Sequence, residues 1–254
     1  YARAQRLFAA QGMACAMPAL HMAFTGNPGT GKTTVARLLA EILVENKVLP
    51  HGRLHEVGRA DLVGKYVGWT AKLVQEAFQK AKGSVLFIDE AYSLVDGRGL
   101  YGDEAINTIV QEMENARGST VVIFAGYPDK MEQFLEQNPG LRSRIAFHVS
   151  FDDYTPEQLV DITRLLAGKK KLTVEPAATE KLLAIYRDAV KTPDFGNGRL
   201  ARNLLEQACM RQASRLVRTG PERVSSREVG LLLAEDFEAP VWGIRPERRT
   251  IGFA

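Results

Sequence analysis

The sequence predicts an α/β fold: a five-stranded parallel sheet flanked by helices, followed by a small all-helical domain. Three observations predict it. From residue 20 to about 150, short β-rich runs alternate with amphipathic helical stretches, the order in which a parallel sheet is wound. The first of these runs leads straight into a glycine-rich loop and then a helical pattern. From Thr155 onward the pattern turns helical, with no convincing strand. A chain of 254 residues can bury two cores. The expected division is a first domain over 1–153, with 1–19 as a helical lead-in, a second over 154–239, and an irregular tail over 240–254.

The β runs are Leu20 to Thr25, Leu54 to Val57, Val85 to Ile88, Val121 to Ala125 and Phe147 to Phe151. Between them, Thr33 to Asn46, Ala71 to Lys82 and Glu104 to Ala116 carry apolar residues at three- and four-residue spacings, which put them on one helix face. In the second domain, Thr155-Pro156-Glu157 opens a helix as cap plus first-turn proline, and Pro176 opens another. Arg199 to Val217 is a third helix, preceded by the breaker-rich Thr192 to Gly198, and Ser225 or Ser226 caps a short fourth.

Composition excludes several classes. Hydrophobic residues at 45% and charged residues at 25% place the chain among ordinary globular proteins, which removes disordered and fibrous alternatives. A net charge of +3 is too small to argue for nucleic acid, and the short clusters Lys169 to Lys171 and Arg245, Arg248 and Arg249 read as solvated surface. Cys15 and Cys209 lie far apart in no metal spacing, so a reducing, cytoplasmic setting is expected. No apolar stretch approaches the roughly 18 residues of a membrane span. The chain begins at Tyr1 and not at Met, as an excised or processed piece of something longer does.

Gly26-Asn27-Pro28-Gly29-Thr30-Gly31-Lys32-Thr33 matches GxxxxGK[ST] between a strand and a helix. Its glycines let backbone N–H groups curl around phosphate oxygens, Lys32 brings positive charge to the outer phosphates, and the helix N-terminus adds its dipole. Asn27, Pro28, Gly29, Thr30, Gly31, Lys32, Thr33 and Thr34 form the expected nucleotide-binding set, with Thr33 a ligand of Mg²⁺. Val85-Leu86-Phe87-Ile88-Asp89-Glu90 is a buried strand ending in two acids, at the edge where parallel strands deliver side chains to a nucleotide. Asp89 would hold the Mg²⁺ shell, partly through water, and Glu90 would orient or activate the attacking water. ATP and Mg²⁺ are therefore the expected substrate and cofactor. His21, His51, His55 and His148 share no ligand spacing, and Ser84, Ser93 and Ser143 lie in no nucleophile elbow, so structural or surface roles are expected of them.

The two motifs and the helical second domain resemble the AAA+ ATPases over nearly the whole chain. Within that class, His21-Met22, Phe24, the GNPGTGKT loop, Asp61-Leu62-Val63-Gly64, Phe87-Ile88-Asp89-Glu90-Ala91-Tyr92 and Asn138-Pro139-Gly140-Leu141-Arg142-Ser143-Arg144 are similar to one group. That group holds stage V sporulation protein K, red-type Rubisco activase (CbbX) and the ATPases of type VII secretion. The resemblance implies a P-loop sheet with a lid, assembly of copies into a hexamer, and a protein substrate. It also implies that Tyr66-Val67-Gly68 is an aromatic pore loop gripping polypeptide. Arg144 would act as an arginine finger on a neighbour's nucleotide, with Arg142 as the alternative, and Arg199 as the sensor-2 arginine, with Arg202 as the alternative. Where the class usually ends its fourth strand in Asn or Thr, this chain reads Phe124-Ala125-Gly126-Tyr127-Pro128, which leaves that sensor to the Tyr127 hydroxyl, to a residue elsewhere or to none. The expected function is a ring-forming ATPase that remodels or threads a protein, of sporulation type first, with Rubisco activation, type VII secretion or a nucleotide-gated binding switch as alternatives. A nucleic-acid-acting ATPase is disfavoured by the pore loop and the weak basic patches.

Overall fold

The computed structural model describes residues 11–12, 19–66, 68–95, 101–220 and 225–240. Val67, Cys15, the tail arginines and nearly all of the expected lead-in and tail lie outside them. The chain divides into two compact units, Tyr1–Asp153 and Tyr154–Ala254.

The first unit holds a five-stranded sheet in the order β2-β3-β4-β1-β5, parallel at every pairing. The strands are β1 (Met22–Gly26), β2 (Leu54–Val57), β3 (Val85–Ile88), β4 (Val121–Gly126) and β5 (Phe147–Phe151). Helices α1 (Lys32–Glu45), α2 (Arg59–Leu62), α3 (Trp69–Lys80), α4 (Tyr101–Asn115), α5 (Pro128–Gln137) and α6 (Pro139–Arg142) connect them. β3 and β4 are buried at every residue, which is why they read as unbroken apolar runs. Alternate side chains enter two cores. Val85, Phe87, Val121, Ile123 and Phe24 pack with Ala36 and Ala40 of α1. Leu86, Ile88, Val122 and Phe124 pack with Val74, Ile109 and Phe134 from α3, α4 and α5.

His21, just before β1, is 2% exposed and ties this core together. Its Nδ1 accepts from the Val122 backbone N–H at 3.1 Å, and its own carbonyl accepts from Ala146 N at 3.0 Å. Burial is the main cause that drives its pKa down to about 4, opposed by a hydrogen bond to the Met113 backbone.

The second unit is helical, with α7 (Pro156–Lys169), α8 (Pro176–Ala189), α9 (Gly198–Thr219) and α10 (Ser226–Val229). Thr155 and Gln158 form a reciprocal capping box at the start of α7, with Pro156 in the first turn. The helical reading needs one addition: β6 (Thr173–Val174) and β7 (Leu231–Leu232) make a two-residue parallel pairing beside the helical core. No helix among the described residues is long and apolar enough to cross a membrane.

Candidate functional site

β1 ends at Gly26, whose missing side chain is dictated by its neighbour: a Cβ there would stand 2.5 Å from the Phe151 carbonyl oxygen and 2.8 Å from the Phe151 Cβ. The loop then turns through two left-handed glycines, Gly29 at φ 78° and Gly31 at φ 93°. Gly31 delivers the chain into α1, so Lys32, Thr33 and Thr34 occupy its first turn. Thr30 is 3% exposed, and its hydroxyl donates to the Asn27 carbonyl at 2.8 Å. The Lys32 ammonium donates to the carbonyls of Gly26 at 2.7 Å and Asn27 at 2.8 Å, which holds it over the loop.

Asp89 and Glu90 follow β3 directly, and both are exposed. Asp89 N donates to Val57 O at 2.9 Å, and Glu90 N to Asp89 Oδ1 at 3.0 Å. Glu90 sits at φ 48°, ψ 46°, a left-handed conformation that costs a non-glycine residue roughly 1 kcal/mol. The strained residue stands at the carboxyl edge of a buried strand. β4 stands between β1 and β3, pairing Gly126 with Thr25 and Phe124 with Ile88. The loop, the two acids and Tyr127 thus share one edge of the sheet on three consecutive strands. The Tyr127 ring lies 6.0 Å from that of Tyr92, and the Lys130 ammonium stands 4.7 Å above Tyr92.

Arg144 is elsewhere. It lies three positions before Phe147, whose register partner Met22 opens β1. It therefore stands at the amino edge of the sheet, separated from its own phosphate loop by the length of a five-residue strand, on the order of 15 Å. Arg142 is exposed on α6.

Tyr66 is 64% exposed and meets the ring of Trp69, itself 59% exposed, edge to face at 5.6 Å. Gly68 at φ 78° sets the chain into α3. Gly64 allows the close approach of Trp69, whose Cβ would lie 2.7 Å from an added one. Arg199, in the second unit, is exposed in the first turn of α9, and Arg202 is exposed on the same helix.

Reading the sequence missed three residues. Trp69 adjoins the expected pore loop and an exposed tryptophan there was a visible signal. Asp153, whose two carboxylate oxygens accept from Asn27 Nδ2 at 3.1 and 3.0 Å, carried none. Nor did Glu114, 3.5 Å from Arg144.

The residues match two families: "ATPase family associated with various cellular activities (AAA)" over 22–152, and the AAA lid domain over 155–244. Chloroplastic ribulose bisphosphate carboxylase/oxygenase activase of Cyanidioschyzon merolae (strain NIES-3377 / 10D) is 44% identical over 228 residues, 89% of this chain and 78% of that protein. Protein CbbX of Cereibacter sphaeroides is 44% identical over 244 residues, 94% of this chain and 79% of that one. The crystal structure of the FIGL-1 AAA domain in complex with ADP shares the fold, with a TM-score of 0.58 at 20% identity over 87% of this chain and 70% of that one.

The chain belongs to the AAA family of ATPases, with a nucleotide-binding sheet domain followed by a helical lid. Within that family its relatives are of the Rubisco activase and CbbX group. The expected sporulation role is overturned by those relatives, which carry the names of Rubisco activase, CbbX and CfxQ. Motifs shared across the whole group could not separate the two.

Proposed function

We propose that this chain forms a ring, a hexamer, that couples hydrolysis of Mg-ATP to remodelling of ribulose bisphosphate carboxylase/oxygenase. Asn27, Pro28, Gly29, Thr30, Gly31, Lys32, Thr33 and Thr34 hold the phosphates, with Lys32 compensating the charge of the outer ones. A hydroxyl at Thr33 and a carboxylate at Asp89 are the hard oxygen donors that Mg²⁺ prefers, and when bound the ion would supply further charge compensation. Glu90 orients water for in-line attack on the terminal phosphorus as the bond to the ADP oxygen breaks, and it takes the water's proton.

Arg144 stabilises the transition state on the neighbouring copy. Its place at the amino edge of the sheet, opposite its own loop, supports action in trans. Arg199 senses the nucleotide from the lid, and Tyr66, Val67 and Gly68 grip the substrate. Tyr66 and Trp69 together expose a rigid aromatic pair, suited to contact with polypeptide of many sequences.

The observation that carries the substrate is the 44% identity to a Rubisco activase across 78% of that protein, a span that includes both units. The test incubates the chain with a red-type Rubisco inhibited by ribulose bisphosphate and follows carboxylation. Recovery should require ATP and fail with Glu90→Gln. Full recovery with Glu90→Gln would instead make the protein a nucleotide-gated binding switch, and none with a hydrolytically active chain would remove Rubisco as the substrate.

A further inference from the structure

Asn27, in the phosphate loop, has a side chain committed elsewhere. Its Nδ2 donates to both carboxylate oxygens of Asp153, at 3.1 and 3.0 Å. Asp153 is the last residue of the first unit. The next residue, Tyr154, opens the second, and its backbone N–H donates to Asn197 Oδ1 at 2.8 Å. Asn197 is 1% exposed, caps the start of α9 and is held at φ 48°, ψ −125°. Two positions further along stands Arg199. Within the first unit, the last residue thus bonds a phosphate-loop side chain. Within the second, the first residue bonds the cap of the helix that carries Arg199.

The Asn27 peptide is also where the loop's charge is anchored. Its carbonyl accepts from the Lys32 ammonium at 2.8 Å and from the Thr30 hydroxyl at 2.8 Å. An ammonium that turns to compensate phosphate charge must weaken its bonds to carbonyls, so phosphate binding changes the bonding of the Asn27 peptide. The side chain of the same residue bonds Asp153. The chemistry is selective: an apolar side chain has no donor for the carboxylate, and an aspartate would set two anions against each other.

We infer that Asn27 is a positioning residue that reports the state of the phosphate loop to the junction at Asp153 and Tyr154, through its bond to the Asp153 carboxylate. This rests on reading Gly26 to Thr33 as the nucleotide cradle.

The test uses the full chain carrying Asn27→Asp, Asp153→Asn or both. Hydrogen exchange of overlapping peptides reads the Tyr154 amide with and without ADP, and kcat is measured alongside. In the unmodified protein, ADP should change exchange at Tyr154. Asn27→Asp should abolish that difference and lower kcat about tenfold, the scale of one lost charge-assisted hydrogen bond. The double variant again places one amide against one carboxylate and should restore both. A bond that only stabilises the fold would shift the melting temperature and leave the nucleotide-dependent difference in place.

Persistence of the difference in Asn27→Asp, or a double variant no better than the single, overturns the inference. If Asn27→Asp does not fold, Asn27→Ala removes the donor without adding charge and is read against the same criterion. Lys32→Ala separates the two readings, since retained ADP affinity there would remove the cradle itself.

Discussion

Arg144 leans on Glu114 of its own chain, with Nε 3.5 Å from Oε2, while its Nη1 donates to the Gly140 carbonyl at 3.1 Å. Glu114 reaches Arg117 at the same distance of 3.5 Å, so one carboxylate on the last turn of α4 serves two guanidinium groups. Glu114 is half exposed, and its pairings contribute little to stability.

Loss of that guanidinium should be felt by a neighbour. Arg144→Ala should lower ATP turnover roughly a thousandfold, the lower end of what an arginine finger supplies. Mixing Arg144→Ala subunits with Lys32→Ala subunits should restore part of the activity that each lacks alone, because some intact loops then face an intact arginine. Absence of any recovery in mixed assemblies, measured by steady-state ATPase assay, would place the arginine's action within its own subunit.

The buried imidazole of His21 makes stability depend on acid. Its pKa in the folded chain lies at about 4, below its ordinary 6.5, so above pH 6.5 both folded and unfolded states are neutral and its contribution is complete. As pH falls from 6.5 toward 4, the unfolded chain takes up a proton that the folded one refuses, and stability drops by up to about 3 kcal/mol. His21→Gln should flatten this part of the curve in urea melts taken between pH 7 and pH 4. An unchanged slope would refute the assignment.

Two glycines give a matched test of loop geometry. Gly26→Ala pushes a Cβ against the Phe151 backbone and should cost on the order of 2 kcal/mol while weakening ADP binding. Gly58→Ala meets nothing within 4 Å at φ −122° and should be close to neutral. Thermal melts and ADP titration distinguish the two. Equal behaviour would mean that β5 does not constrain the phosphate loop.

The aromatic pair is tested by coupling efficiency. Tyr66→Ala and Trp69→Ala should each lower the Rubisco activity recovered per ATP hydrolysed, because each ring braces the other at 5.6 Å. A drop for Tyr66→Ala alone would reduce Trp69 to a surface residue.

The central strands were legible because they are covered on both faces. β3 runs over Val85–Ile88, as its apolar stretch indicates, and β4 extends only one residue beyond its own. α5 went unread because its polar residues outnumber the apolar ones, although Pro128 after Tyr127 was a start signal. β6 and β7 are two residues each, too short for any period, and form only because the helices bring Thr173 beside Leu231. The phosphate loop and the acidic pair were legible as contiguous motifs. The bond from Asn27 to Asp153 was not, because local sequence says nothing about which distant carboxylate a folded loop will meet.

β5 forms one margin of the sheet, and its five residues, Phe147, His148, Val149, Ser150 and Phe151, include no lysine and no carboxylate. Phe147 is 47% exposed. A strand of this kind is a template for self-pairing of chains, and what discourages it is the charge at its ends: Arg142 and Arg144 before it, Asp152 and Asp153 after. The two aspartates thus place negative charge where the strand ends, against pairing of one copy with another.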